Sequence, residues 1–126
     1  MAALTSDRNT PRRVGEDFGF EAAATVYAGS LVCLTAEGKA VPASVTAGLT
    51  PVVGVALRQT LPGETVPVHR GTYPFDAATG DAPTLADIGK ECFVVDDHTV
   101  GKTAGANSPR AGIVYDVNDD GVWVKI

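Results

Sequence analysis

A chain of 126 residues with 44% hydrophobic and 20% charged side chains is too apolar to stay disordered. It is long enough for one domain that buries roughly two-thirds of its unfolded surface. A formal charge of −5 argues against nucleic acid or an anionic membrane as the main partner. The 14 glycines and 8 prolines fall as punctuation, which favours many short strands over long helices.

Residues 1–17 read as an extended arm and residues 18–126 as a single β-rich domain. The opening MAALTSDRNTPRR has no apolar h-region, which argues against a secretory signal, and no later run approaches the ~20 apolar residues of a membrane helix. Residues 1–14 carry Arg8, Arg12 and Arg13 against Asp7, a net of +2, which leaves −7 on the other 112 residues. That asymmetry is the clearest electrostatic feature of the chain. It suits either a frayed polar terminus or an arm that docks on an acidic neighbour.

From Phe18 onward the pattern predicts a strand, a turn at Ala28-Gly29-Ser30 and a second strand over 31–35. A tight turn at Glu37-Gly38 leads into a short strand, Lys39 to Pro42, and then a small-residue loop over 43–50. The run Val52-Val53-Gly54-Val55-Ala56-Leu57 reads as a strand buried on both faces, with Gly54 marking a bulge or the close approach of another backbone. Past the turn at Pro62-Gly63, Thr65 to Arg70 forms a strand placed at a sheet edge, because Pro67 has no N–H to give a ladder. Gly71 and Pro74 punctuate its exit, and Asp76 to Pro83 reads as a loop. Thr84 can cap one helical turn, Leu85 to Ile88, that Gly89 stops.

Lys90 to Asp96 forms a strand, and Asp96-Asp97-His98 turns it into Thr99 to Lys102. A hairpin closes the chain: Ala111 to Val117, a turn at Asn118 to Gly121, then Val122 to Ile126. Ile113, Tyr115 and Val117 share one face of the first strand, and Val122, Val124 and Ile126 one face of the second. Strands at this spacing indicate a small barrel or sandwich.

Motifs with chemistry are scarce. Asp116 to Gly121 matches the opening of a calcium loop, D-x-N-x-D-G, but its twelfth ligand position would be residue 127 and strands flank it where an EF-hand needs helices. A hairpin turn is the better account. His69 and His98 lack an HxH or HExxH partner, so zinc would need long-range convergence with Cys33 and Cys92. Those cysteines lie inside apolar runs as small buried hydrophobes, and a disulfide between them stays open. The acidic pairs Glu16-Asp17, Asp96-Asp97 and Asp119-Asp120 adjoin turn signals, where solvated carboxylates are ordinary. Neither G-x-S-x-G nor a phosphate loop is matched.

Several stretches resemble the capsid cement, or head decoration, proteins of tailed phages. They are Leu4 to Arg13, Tyr27 to Val32 leading to Ala40-Val41-Pro42, Val53 to Ala56, and His69-Arg70-Gly71. The most specific are Thr84 to Lys90, Val94 to Val100 and Asp120 to Val124. The resemblance implies a small β-rich, non-enzymatic protein, without cofactor or metal, on the outer surface of an icosahedral head. There it would bridge subunits of the major capsid protein, often as a homotrimer, with no nucleic-acid or membrane partner. It raises the docking reading of the arm, with Arg8, Asn9, Thr10, Pro11, Arg12 and Arg13 as the contact residues. Assembly in a host cytoplasm would keep Cys33 and Cys92 reduced. Two other classes remain: a small barrel module of a tail or baseplate, and a hydrolase or metal enzyme whose site forms only in three dimensions.

Overall fold

A computed structural model of the chain describes residues 2–9 and 17–126. Ten strands and one 3-10 turn make up its regular structure: β1 (Asp17–Glu21), β2 (Leu31–Leu34), β3 (Ala40–Pro42), β4 (Gly54–Ala56), β5 (Thr65–His69), β6 (Thr72–Ala77), the 3-10 turn Leu85–Asp87, β7 (Glu91–Val94), β8 (Thr99–Gly101), β9 (Arg110–Asn118) and β10 (Gly121–Lys125). Strands β6 to β10 close into a five-stranded barrel in the order β10-β6-β8-β7-β9. The other five form a sheet ordered β1-β5-β4-β2-β3. The fold is mainly β, and of the barrel or sandwich expected it has a barrel, built from the C-terminal half, with a second sheet from the N-terminal half.

The sheet nearly closes on itself as well. An isolated bridge joins Ala22 to Ala40, the Ala23 N–H donates to the Ala40 carbonyl at 2.9 Å, and Lys39 meets Glu21 at 3.0 Å. Strand β2 serves two interiors, because successive side chains of a strand point to opposite faces. Leu31 and Cys33 enter a core with Phe75, Cys92, Val94, Val100, Val114, Val122 and Val124. Val32, between them, enters a second core with Val26, Ala40, Val66 and Val68. Strand β4 divides in the same way, Val55 to the first core and Ala56 to the second. The central run is therefore buried on both faces, as its unbroken apolar composition predicts.

Gly54 also behaves as predicted: a Cβ there would come 3.0 Å from the His69 carbonyl oxygen. The turn after Pro83 is present too, with the Asp87 carboxylate accepting the Thr84 N–H at 2.8 Å and the Thr84 hydroxyl at 3.2 Å.

Three expectations are corrected. Strand β5 is not at an edge; it lies between β1 and β4. Within a strand a residue's N–H and C=O point to the same side, and the Pro67 carbonyl accepts from the Leu57 N–H at 3.0 Å, one residue past the end of β4. The missing donor thus falls where the ladder has stopped. The second correction repeats the first. Residues 72–77 are a strand running through Pro74, not an exit followed by a loop from Asp76. Asp76 donates its N–H toward the β8 side, to the His98 carbonyl at 2.9 Å, and Pro74, two residues earlier, faces that side before β8 pairing begins. The third concerns β9. Its pairing with β10 steps from Trp123–Asp116 to Val124–Val114, leaving Tyr115 as a bulged residue, and its pairing with β7 skips Ala111. The bulges break the two-residue alternation. Ala111 and Val114 are buried, Ile113 is half-buried, and Tyr115 is 62% exposed.

Candidate interaction surface

Residues 2–9 are exposed, belong to no strand, and place Leu4 with 74% of its surface in solvent. Of the predicted contact residues, Arg8 and Asn9 lie on this exposed segment. Thr10, Pro11, Arg12 and Arg13 lie outside the described residues.

On the body, the turn between β7 and β8 gathers charge. His98 Nδ1 lies 2.9 Å from Asp96 Oδ1 and 3.1 Å from Asp97 Oδ1, and its Nε2 lies 3.7 Å from Asp76 Oδ2 on β6. Two of these carboxylates have further partners, one a local backbone N–H and the other a side chain distant in sequence. Asp96 accepts the His98 N–H at 2.9 Å, and Asp97 accepts the Ser30 hydroxyl at 3.3 Å. The Asp97 carbonyl takes the Leu31 N–H at 2.8 Å, so this turn ties the barrel to the start of β2. The hydrogen bond that its ring N–H donates to Asp97, with the charges of Asp96, Asp97 and Asp76, holds the His98 imidazole above its usual 6.5. Partial burial pushes the Asp96 carboxyl up, but the His98 amide, the Thr99 hydroxyl and the His98 charge outweigh it and leave the group below the usual range.

Sequence reasoning treated Asp96-Asp97-His98 as a plain turn and missed Asp76 as its fourth member. No local signal carries that link, since Asp76 arrives through the parallel pairing of β6 with β8. Among the described residues, Asp96, Asp97 and His98 are the group whose ligand atoms converge closely enough to hold a cation, and all three are at least one-third exposed.

Beside the turn runs an open groove of about 490 Å³ between the 43–49 loop and residues 96–97. Val41, Pro42, Ala43 and Leu49 are among its apolar lining residues, and Asp96 and Asp97 line it as well. None of its lining comes from residues 2–9.

The remaining sequence candidates resolve into structure. Asn118 Oδ1 accepts the Asp120 N–H at 2.9 Å and the Trp123 indole N–H at 3.0 Å, and Asp116 accepts the Val117 N–H at 2.8 Å. The D-x-N-x-D-G stretch is a hairpin turn. Cys33 and Cys92 are free and buried, and burial pushes their thiols up to about 12 and about 11. His69 pairs with the Tyr73 hydroxyl through Nδ1. No family model matches the chain, and neither a curated protein nor a solved structure matches it.

Proposed function

We propose that this chain is a non-enzymatic decoration, or cement, protein that binds the outer surface of a phage head and bridges major capsid subunits as a homotrimer. The observation that carries the reading is the division of the chain into electrically opposite parts. Residues 1–14 carry a net +2 and begin with an exposed segment, against −7 on the remaining 112 residues. Carboxylates of the β-domain are engaged in shaping its own turns: Asp87 at the 3-10 turn, Asp96 before β8, and Asp116 at the closing hairpin. Every buried side-chain nitrogen and oxygen among the described residues has a hydrogen-bond partner. The resemblance along the chain adds the partner class. In this reading Arg8, Asn9, Thr10, Pro11, Arg12 and Arg13 form the contact, with guanidinium forks suited to carboxylates and Pro11 limiting the entropy lost on docking.

The test is binding to undecorated heads of the cognate phage across a sodium chloride series. The parent should bind, and its affinity should fall with salt. The R8A/R12A/R13A variant should melt like the parent yet bind at least tenfold more weakly at low salt. A parent that fails to bind heads overturns the reading. A variant that binds as tightly as the parent at every salt concentration moves the contact surface from the arm to the β-domain.

A further inference from the structure

We propose that the outer face of the closing β9–β10 hairpin binds the same face of a second copy of this chain, the two hairpins lying antiparallel about a twofold axis. This contact lies beyond the decoration reading and does not depend on it. On β10, Val122 and Val124 point into the first core, so Trp123 and Lys125 stand on the outside of the barrel. Trp123 pairs with Asp116, and the bulge adds Tyr115 beside it, exposed. Ile113, opposite Lys125, is half-buried and absent from both cores. The segment after the 3-10 turn runs along the other flank of β9. There the Gly89 N–H donates to the Val114 carbonyl and the Val114 N–H to the Lys90 carbonyl, each at 2.9 Å. This brings two more exposed apolar residues, Leu85 and Ile88, to the edge of the patch.

Charge selects the occupant. Trp123 is the middle residue of β10, with Lys125 two residues to one side and the turn residues Asp119 and Asp120 beyond Gly121 on the other. At about 3.3 Å per residue, each end lies roughly 7–10 Å from the middle. Among the described residues, neither of those carboxylates nor the Lys125 amine takes part in a side-chain hydrogen bond or an ion pair. Other charges near Lys125 are already matched, Arg110 with Glu91 at 3.0 Å and Lys90 with Asp87 at 4.0 Å. One face therefore carries an apolar middle, a free cation toward one end and two free carboxylates toward the other. A partner surface of uniform sign would satisfy one end and repel the other. The same face turned by 180° satisfies both: Trp123 and Tyr115 meet their own copies, and Lys125 of each chain meets Asp119 and Asp120 of the other. Such a contact leaves the threefold contacts of a homotrimer to other surfaces and would join one trimer to the next.

The experiment uses two full-length variants, D120C and K125C, one of them isotope-labelled. Melting curves first establish that both fold like the parent, and D119C replaces D120C if the turn does not tolerate the change. Cys33 and Cys92 are buried and stay out of the reaction. The two proteins are mixed in equal amounts and treated with diamide, which takes two electrons and two protons from each thiol pair that joins. Antiparallel packing sets the two new thiols together and keeps one Lys125–Asp120 contact intact, which neither like-with-like dimer can do. The expected mixed dimer is at least fivefold above either like-with-like dimer. It should fall to the random twofold excess when both chains also carry Y115D, a change at an exposed position that leaves the fold alone. A chain bearing both D120C and K125C should close as a dimer with two disulfides. A mixed dimer at only the random excess overturns the inference, as does one that Y115D leaves unchanged. Ladders of longer species from the doubly substituted chain would mean head-to-tail contact and overturn the twofold.

Discussion

At the scale of single residues, close backbone contacts and one titratable ring govern what the chain tolerates. Gly112 lies where β9 bends between its two bulges, and a Cβ there would come 2.4 Å from the Lys125 carbonyl oxygen and 2.8 Å from Val124 Cγ1. Backbone cannot yield as a flexible side chain can, so Gly112→Ala should cost about 3 kcal/mol or more, read from urea unfolding. A loss below about 1 kcal/mol would mean that the bulged strand moves freely. His98 makes stability depend on pH. Its folded pKa is raised above the unfolded 6.5, so the protonated ring favours the folded state. That contribution is complete below 6.5 and disappears as pH rises through the folded value. The exposed setting keeps it small. The melting temperature of the parent should exceed that of His98→Gln at about pH 5.5, and the gap should narrow by about pH 8.5. A gap that widens with pH reverses the assignment. Buried thiols with raised pKa make a third expectation: Cys33 and Cys92 should ignore a maleimide at neutral pH in the folded protein and react fully once it is unfolded.

At the scale of elements, the closing hairpin matters most, because β10 pairs with both β6 and β9 and completes the barrel. Deleting Val122 to Ile126 removes Val122 and Val124 from the core and leaves Phe75 and Val114 without their ladder partners on β10. Insoluble protein, or a collapsed state that binds a hydrophobic dye and melts without cooperativity, is expected. A truncated chain that still unfolds sharply near the parent temperature would contradict this. Much of this element's course was readable in advance: Val122 and Val124 alternate inward as written, and Asn118 to Gly121 turns as its composition demands. The inward face of β9 was not readable. Bulges at Ala111 and Tyr115 depend on how two partners meet one strand, and a period of two cannot announce them. Pro67 and Pro74 misled for a related reason. A proline bars a ladder bond only where a neighbour stands opposite its nitrogen, and the lengths of β4 and β8 decide that. The cluster around His98 was legible in part, three residues from the turn but not the fourth, which comes from a parallel pairing twenty or more residues away in the chain.

At the scale of the whole molecule, residues 2–9 are exposed and absent from both cores, so removing residues 1–9 should change stability by no more than about 0.5 kcal/mol. A chain that loses several kcal/mol on that deletion would show the arm to be part of the fold. The two cores are another matter. Strands β2 and β4 are a party wall: Leu31, Cys33 and Val55 face one room, Val32 and Ala56 the other. Neither room can be vacated while its wall stands, and the wall cannot fall without emptying both. Val94→Ala in the first core and Val66→Ala in the second should each cost about 2 kcal/mol. Both should shift one common transition rather than split it. The same wall sets the order of isotope exchange: amides of β2 and β4 should open only when everything else does, which makes the middle of the chain the last part to let go.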